Sequence, residues 1–227
     1  MKLSLKSVLF SKGIMPFTST ADIEAISGLN ALFVAASASD FVLSGNEIQS
    51  WKDRSANNNH ILASGVLRIF NASQKKVTNP SINSNTPFTN VINYGTGDYT
   101  IVIYENFIYR NGASSFVMDN FNYIGENIGA SYLIKEGSST STFDKDIVPS
   151  GIKKHFIRKT SGSHGWIRNG VSLNRTSNQS STMTVSTLGT DYGSVCLGDS
   201  YAYVFFNRSL SDSELDIVKN NLDQIFG

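Results

Sequence analysis

The sequence predicts an all-β fold: a sandwich of two antiparallel sheets with a short N-terminal helix and a C-terminal amphipathic helix. From Leu29 onward the chain is a series of short apolar or alternating runs, rich in β-branched and aromatic residues and separated by Gly, Asn and Ser clusters. Asn111-Gly112 and Asn169-Gly170 each separate two such runs, and Asn-Gly suits the type I′ turn because both central residues need positive φ. The stretch from Val195 to Gly227 carries an apolar strand into a capped helix that closes the polypeptide. At 227 residues the chain fits one all-β domain, since such sandwiches run to about 200–250 residues as a single unit.

Residues 1–28 precede the sandwich of 29–227. Within residues 1–18 the apolar side chains show no helical period and are interrupted by Gly13 and Pro16. This apolar arm is either a first strand of the domain's own sheet or a segment that docks on a neighbouring subunit through Leu5, Val8, Phe10, Ile14 and Phe17. Thr20 to Ser27 reads as a short helix, with Ser19 or Thr20 as its cap and Gly28 at the left-handed position beyond its end. Thr100 to Tyr104 is the clearest strand, and the two Asn-Gly pairs predict hairpins over Phe107–Met118 and Gly165–Leu173. Ala56–Asn59, Gly137–Thr142 and Ser177–Thr182 are small and polar, which predicts exposed loops. Near the end, Ser211 stands three residues before Glu214, the spacing of a capping box, flanked by Leu210 and Leu215 at the staple positions. Leu215, Val218, Leu222, Ile225 and Phe226 then form one apolar stripe that must face a core built elsewhere.

Composition excludes several function classes. The net charge is +1, so no global field holds a polyanion, and nucleic acid is not expected as a partner. The pairs Lys75-Lys76 and Lys153-Lys154 read as solvated edge or loop positions. The single Cys196 allows no intrachain disulfide and sits in a strand as a small hydrophobe. With three scattered histidines and that one cysteine, no zinc spacing exists. No run approaches the ~20 apolar residues of a membrane span, and the apolar run between Lys6 and Lys12 is too short for an export signal.

A strand ending in an aromatic run, then Asn207-Arg208-Ser209-Leu210-Ser211-Asp212-Ser213-Glu214-Leu215, then a helix finishing in Phe226-Gly227, together resemble the end of concanavalin A-like (laminin G-like) jelly-roll domains. Leu29 to His60, with Trp51-x-Asp53-x-Ser55 and an Asn-rich turn, is similar to the opening of that family. Gly97-Asp98-Tyr99-Thr100-Ile101 resembles a mid-domain strand start, and Trp166 to Val171 the hairpin before the final strands. The four matches follow the family's order over residues 29–227, while Ile61 to Asn90 matches nothing recognisable.

The resemblance implies a fold and leaves the activity open, because the family includes lectins, laminin modules, glycosidases and virion proteins. Its glycosidases set carboxylates as Glu-x-Asp-x-x-Glu along one strand, where alternation aims them into one cleft. Here the nearest match is Glu214-Leu215-Asp216, on the helix with Lys219 in the third place, so no catalytic residue is assigned and no enzyme is expected. His60, His155 and His164 stand in no nucleophile motif, and Asp144-Lys145-Asp146 reads as a solvated turn. Calcium is the one cofactor left open, with Asp53, Asp98 and Asp199 as candidate ligands; the alternative is that each caps a turn. Trp51 matches a position that packs the core, whereas Trp166, Tyr123 and Tyr132 are candidates for stacking on a sugar.

A non-enzymatic component of a bacteriophage particle is therefore expected, in a head or tail fibre. It would be tied to other virion proteins by the arm and would carry a lectin-like domain for host-surface glycans. A virion protein folds in the host cytoplasm and leaves by lysis, which fits a polar sandwich surface with neither export signal nor disulfides. The alternative is a free-standing extracellular carbohydrate-binding module, with a glycoside hydrolase a distant third; a homo-oligomer is compatible with either of the first two.

Overall fold

The computed structural model describes residues 19–62, 68–79, 86–109, 114–119, 122–127, 131–144, 151–188 and 196–227. The arm, with Leu5, Val8, Phe10, Ile14 and Phe17, lies outside them. In chain order the strands are β1 Leu29–Val34, β2 Phe41–Ser44, β3 Glu47–Trp51, β4 Ile61–Leu62, β5 Arg68–Asn71, β6 Lys76–Asn79, β7 Thr86–Gly95, β8 Tyr99–Tyr109 and β9 Ser114–Asp119. They continue as β10 Asn122–Asn127, β11 Ser131–Glu136, β12 Ser139–Asp144, β13 Lys153–Thr160, β14 Ser163–Arg168, β15 Val171–Ser172, β16 Arg175–Ser177, β17 Met183–Leu188 and β18 Cys196–Phe206. Helix α1 spans Ala21–Glu24 and α2 spans Asp212–Phe226.

Pairing divides the strands into two antiparallel sheets, the predicted sandwich. The first runs β15-β14-β13-β8-β18-β1 and continues from β18 through β6, β5 and β3 to β2 and β4. The second runs β7-β17-β9-β10-β11-β12-β16. One pair, Ile61 with Phe88, ties β4 to β7, so β7 touches both sheets.

The centre of the first sheet, at β1, β8, β13 and β18, is buried on both faces. Along β8, Ile101 and Ile103 point into the inter-sheet core with Phe33, Ile157, Tyr203 and Phe205. The alternate residues Val102 and Tyr104 point the other way and join Val204 and Phe206 under Ile23 of α1 and Leu215, Val218, Leu222 and Ile225 of α2. Burying such side chains stabilises by about 1.5–3 kcal/mol each, which is what holds α2 to the sheet. The second sheet contributes Ile124, Tyr132, Ile134, Phe143, Met183 and Val185 to the inter-sheet core. Among the described residues no helix covers its outward face.

Helix α2 starts as predicted. The Ser211 hydroxyl accepts from the Glu214 amide at 3.3 Å, and the Ser211 amide donates to the Glu214 carboxylate at 2.9 Å. Arg208 forks onto the same carboxylate at 2.6 and 2.9 Å. Helix α1 is shorter than expected, and the Thr20 hydroxyl donates to the Glu24 carboxylate without capping the helix amides. The chain then turns into β1 through Gly28 at φ +78°, where an added Cβ would meet Asn207 Oδ1 at 2.6 Å. Trp51 packs the core as the family position implies, its indole donating to the Val34 carbonyl at 3.2 Å.

Three expectations are corrected. Asn169-Gly170 forms its hairpin, with both residues at positive φ between β14 and β15. The hairpin over Phe107–Met118 does not form, because β8 pairs with β13 and β18 while β9 pairs with β10 and β17. Asn111-Gly112 itself lies outside the described residues, between strands of opposite sheets. Most of Gly137–Thr142 is the strand β12, whose Ser141 and Phe143 are buried. The lysine pairs are half-buried and engaged: Lys76 meets Asp199 at 2.9 Å, Lys154 meets Asp223 at 2.7 Å, and Lys75 and Lys153 donate to the carbonyls of Ile225 and Phe107.

Candidate functional site

Titratable groups gather inside the sandwich, at the end where β11 turns into β12. The Glu136 carboxylate receives Tyr99 Oη at 3.0 Å, Lys159 Nζ at 3.1 Å and the Ser181 amide at 2.6 Å, and lies 3.1 Å from His164 Nε2. His164 Nδ1 is 2.8 Å from Ser141 Oγ, so a serine, a histidine and a carboxylate stand in sequence. The order resembles a catalytic triad in connectivity alone. In a working triad Nε2 faces the serine and Nδ1 the carboxylate, the reverse of what is seen here. Ser141 and Glu136 are also sealed from solvent, and the Ser141 hydroxyl is held by both backbone groups of Gln179. Burial raises the Glu136 pKa, but the hydrogen bonds from His164, the Ser181 amide and Lys159 outweigh it and hold the carboxyl at about 2. The arrangement fixes charge between the sheets and offers no reactive oxygen to a substrate.

His155 and His60 are likewise structural. Buried His155 lies 3.0 Å from Glu105 through Nε2 and accepts the Trp166 indole N–H at 3.2 Å through Nδ1. His60 Nδ1 accepts the Asp53 amide at 3.0 Å.

The calcium candidates are occupied by the protein itself. Asp53 is buried and takes four donors: the amides of Leu32, Ser55 and Asn59 and the Ser55 hydroxyl, all within 2.8 Å. Asp199 is held by Lys76 and by the Thr78 hydroxyl at 2.7 Å, and Asp98 accepts the Ser161 amide at 2.7 Å. Turn and strand fixing is thus their observed role. Among the described residues no three or more His, Cys, Asp or Glu side chains converge as a metal site.

Two of the three aromatic candidates are also corrected. Trp166 and Tyr132 are each 1 % exposed and pack on each other at 4.9 Å between ring centroids, with Arg168 against Tyr132. Strand alternation explains it: Trp166 shares the inward face of β14 with His164 and Arg168, and Tyr132 shares that of β11 with Ile134 and Glu136. Neither ring can stack on a sugar.

Tyr123 is different. It is half-buried on β10, offset by one residue from inward-facing Ile124, and therefore lies on the outward side of the second sheet, which no helix of the described residues covers. Register places Tyr123 opposite Lys135 and Lys135 opposite Thr140, a row across β10, β11 and β12. The next row is Gly125, Leu133, Thr142 and Ser177. The Lys135 ammonium stands 5.7 Å from the Tyr123 ring centroid. Beside this face, Thr184 and Ser186 donate to the Asp119 carboxylate at 2.5 and 2.7 Å, and Asn122 donates to Thr184 at 2.8 Å. An aromatic ring and an ammonium with three donors, beside the Thr140 hydroxyl in the same row, combine the donors and the apolar surface that a sugar requires. A hollow of about 410 Å³ lies elsewhere, between α2 and β13–β15, but Arg158 in its lining is tied to Asp212 and Lys219 to Asp223.

No protein-family model matches the chain, and no curated protein does. Solved structures resemble its fold. Trypanosoma rangeli sialidase in complex with sialic acid is similar over 89 % of this chain and 34 % of its own, at 11 % identity and a TM-score of 0.61. Domain 4 of AbnA, a GH43 extracellular arabinanase from Geobacillus stearothermophilus, in complex with arabinotriose, is similar over 83 % of this chain and 97 % of its own, at 12 % identity and a TM-score of 0.54. The binding domain of botulinum neurotoxin DC in complex with SialylT is similar over 78 % of this chain and 52 % of its own, at 14 % identity and a TM-score of 0.53. The chain thus spans about a third of the sialidase, and at these identities the likeness is one of fold.

Proposed function

We propose that the chain is a glycan-binding β-sandwich module that holds sugar on the outward face of its second sheet, around Tyr123, without turning it over. The half-buried Tyr123 with Lys135 over its ring, on a sheet face that no helix of the described residues covers, is the observation that carries this reading. The arabinotriose, sialic acid and SialylT complexes of the similar structures support it by fold analogy. A binding role without turnover is supported by the placement of the serine, histidine and carboxylate set, which no sugar reaches. A role in a phage particle takes no support from the fold or the likenesses, and the binding reading stands without it.

A glycan array followed by titration calorimetry on the best ligand tests the proposal. Tyr123→Ala is expected to weaken binding about tenfold or more, equivalent to about 1.4 kcal/mol. Silence across the array, release of free sugar by purified protein, or undiminished affinity in the variant would each overturn it.

A further inference from the structure

We infer that the Tyr123 face selects acidic sugars, with the Lys135 ammonium as the group that recognises a ligand carboxylate; this rests on reading that face as the glycan site. Lys135 is set apart by what it lacks. The other lysines of the described residues all end on an acceptor: Lys52, Lys75 and Lys153 on backbone carbonyls, and Lys76, Lys154, Lys159 and Lys219 on carboxylates. Among the described residues Lys135 has neither a hydrogen-bond acceptor nor an ion-pair partner, and its contact is the Tyr123 ring at 5.7 Å. An ammonium carries three donors, and here no acceptor among the described residues takes them.

Geometry makes the pair a single recognition unit. Tyr123, Lys135 and Thr140 stand on successive strands in one row, and neighbouring strands lie about 4.8 Å apart. A pyranose ring packed beside the Tyr123–Lys135 pair therefore brings an exocyclic carboxylate within reach of the ammonium that stands over the ring, with the Thr140 hydroxyl one strand beyond. A charge-assisted N–H···O bond to a carboxylate is roughly twice as strong as a neutral one, so the same face discriminates between an acidic sugar and its neutral counterpart.

Calorimetry on matched ligands tests this: 3′-sialyllactose against lactose, and trigalacturonate against its carboxyl-reduced form, each at low and high salt. The wild type is expected to bind at least one acidic member about tenfold more tightly than its neutral partner, a preference that shrinks with salt because the ion pair is exposed. Lys135→Gln should bring the acidic ligand down to the affinity of the neutral one, and Lys135→Arg should keep the preference. Tyr123→Ala should weaken both members of a pair. Equal affinity for charged and neutral ligands in the wild type, or a preference that survives Lys135→Gln, overturns the selectivity while leaving glycan binding in place. Failure of the wild type to bind any of the four ligands overturns this inference; silence across the wider array in addition overturns the glycan reading itself.

Discussion

Lys159 and Lys135 each stand over a tyrosine ring, at 5.8 Å from Tyr99 and 5.7 Å from Tyr123, yet the two pairs do opposite things. Lys159 is fully buried between the sheets, with Glu136 at 3.1 Å to neutralise it. Lys135 is half-buried on an outward face and has no acid beside it among the described residues. A cation over a ring contributes about 0.5–1 kcal/mol when exposed and about 2 kcal/mol when desolvated, so the ring is not what separates them. The carboxylate and the solvent are. Where both charges are enclosed the pair fixes structure, and where the cation is left open it can serve a ligand.

The largest effect is expected from breaking the enclosed pair. Lys159→Met leaves the Glu136 charge buried with hydrogen bonds but without its cation, which should cost about 3–5 kcal/mol. For a domain of this size that lowers the melting temperature by roughly 6–20 °C. Pairing Lys159→Met with Glu136→Gln should recover a large part of the loss, because no uncompensated charge then remains. Thermal unfolding of the two single variants and the double variant measures the coupling, and strict additivity would show that the charges do not act together.

Acid should reach the same cluster without mutation. The Glu136 carboxyl titrates at about 2 in the fold against an ordinary value of 4.5. Since the folded value is the lower, its contribution is complete above pH 4.5 and is lost as pH falls toward 2, on the order of 3 kcal/mol in all. Glu214 is also held at about 2, chiefly by Arg208, and the Asp223 carboxyl is lowered by hydrogen bonds from Lys154, Lys219 and Tyr104 that outweigh its burial, so wild-type acid unfolding reports on all three. The difference between wild type and Glu136→Gln isolates one of them. That difference should narrow steadily between pH 4.5 and 2, and a constant gap would contradict the assignment.

A smaller effect separates the outer faces of the two sheets. The first sheet's outer face is closed by α2, whose start depends on Ser211. Ser211→Ala removes the hydroxyl that accepts from the Glu214 amide and should cost about 1 kcal/mol, or roughly 2–4 °C. The Arg208–Glu214 fork and the four buried apolar side chains of α2 remain, so the helix should fray at its start without leaving the sheet.

What the sequence made legible was local. The capping box, the apolar stripe of α2 and the Asn169-Gly170 turn depend on residues within a few positions of one another, and all three appear in the structure. Asn111-Gly112 misled because a turn signal does not say whether the flanking runs join one sheet or opposite ones. The interior cluster was illegible for a different reason. The core face of β13 carries His155, Ile157 and Lys159, and that of β12 carries Ser141, so polar residues occupy positions that alternation reserves for apolar ones. Their partners Glu105 and Glu136 lie 50 and 23 residues away in sequence. Period two along β14 was the available signal that Trp166 points inward, but its companions His164 and Arg168 hid it. The adjacency of Tyr123 and Lys135 follows from strand register, which no spacing in the sequence states.

The smallest effect is the one that completes the contrast. Lys135→Met removes an ammonium bonded to no acid and substitutes a chain that still covers the Tyr123 ring, so stability should change by less than about 0.5 kcal/mol. Lys159→Met, the identical substitution over the identical ring type at nearly the same distance, is expected to cost several times more. Measuring both in one urea series separates what burial and a counter-charge contribute from what the ring contributes. A loss at Lys135 comparable to that at Lys159 would mean that the open face, too, is built for structure and not held ready for a ligand.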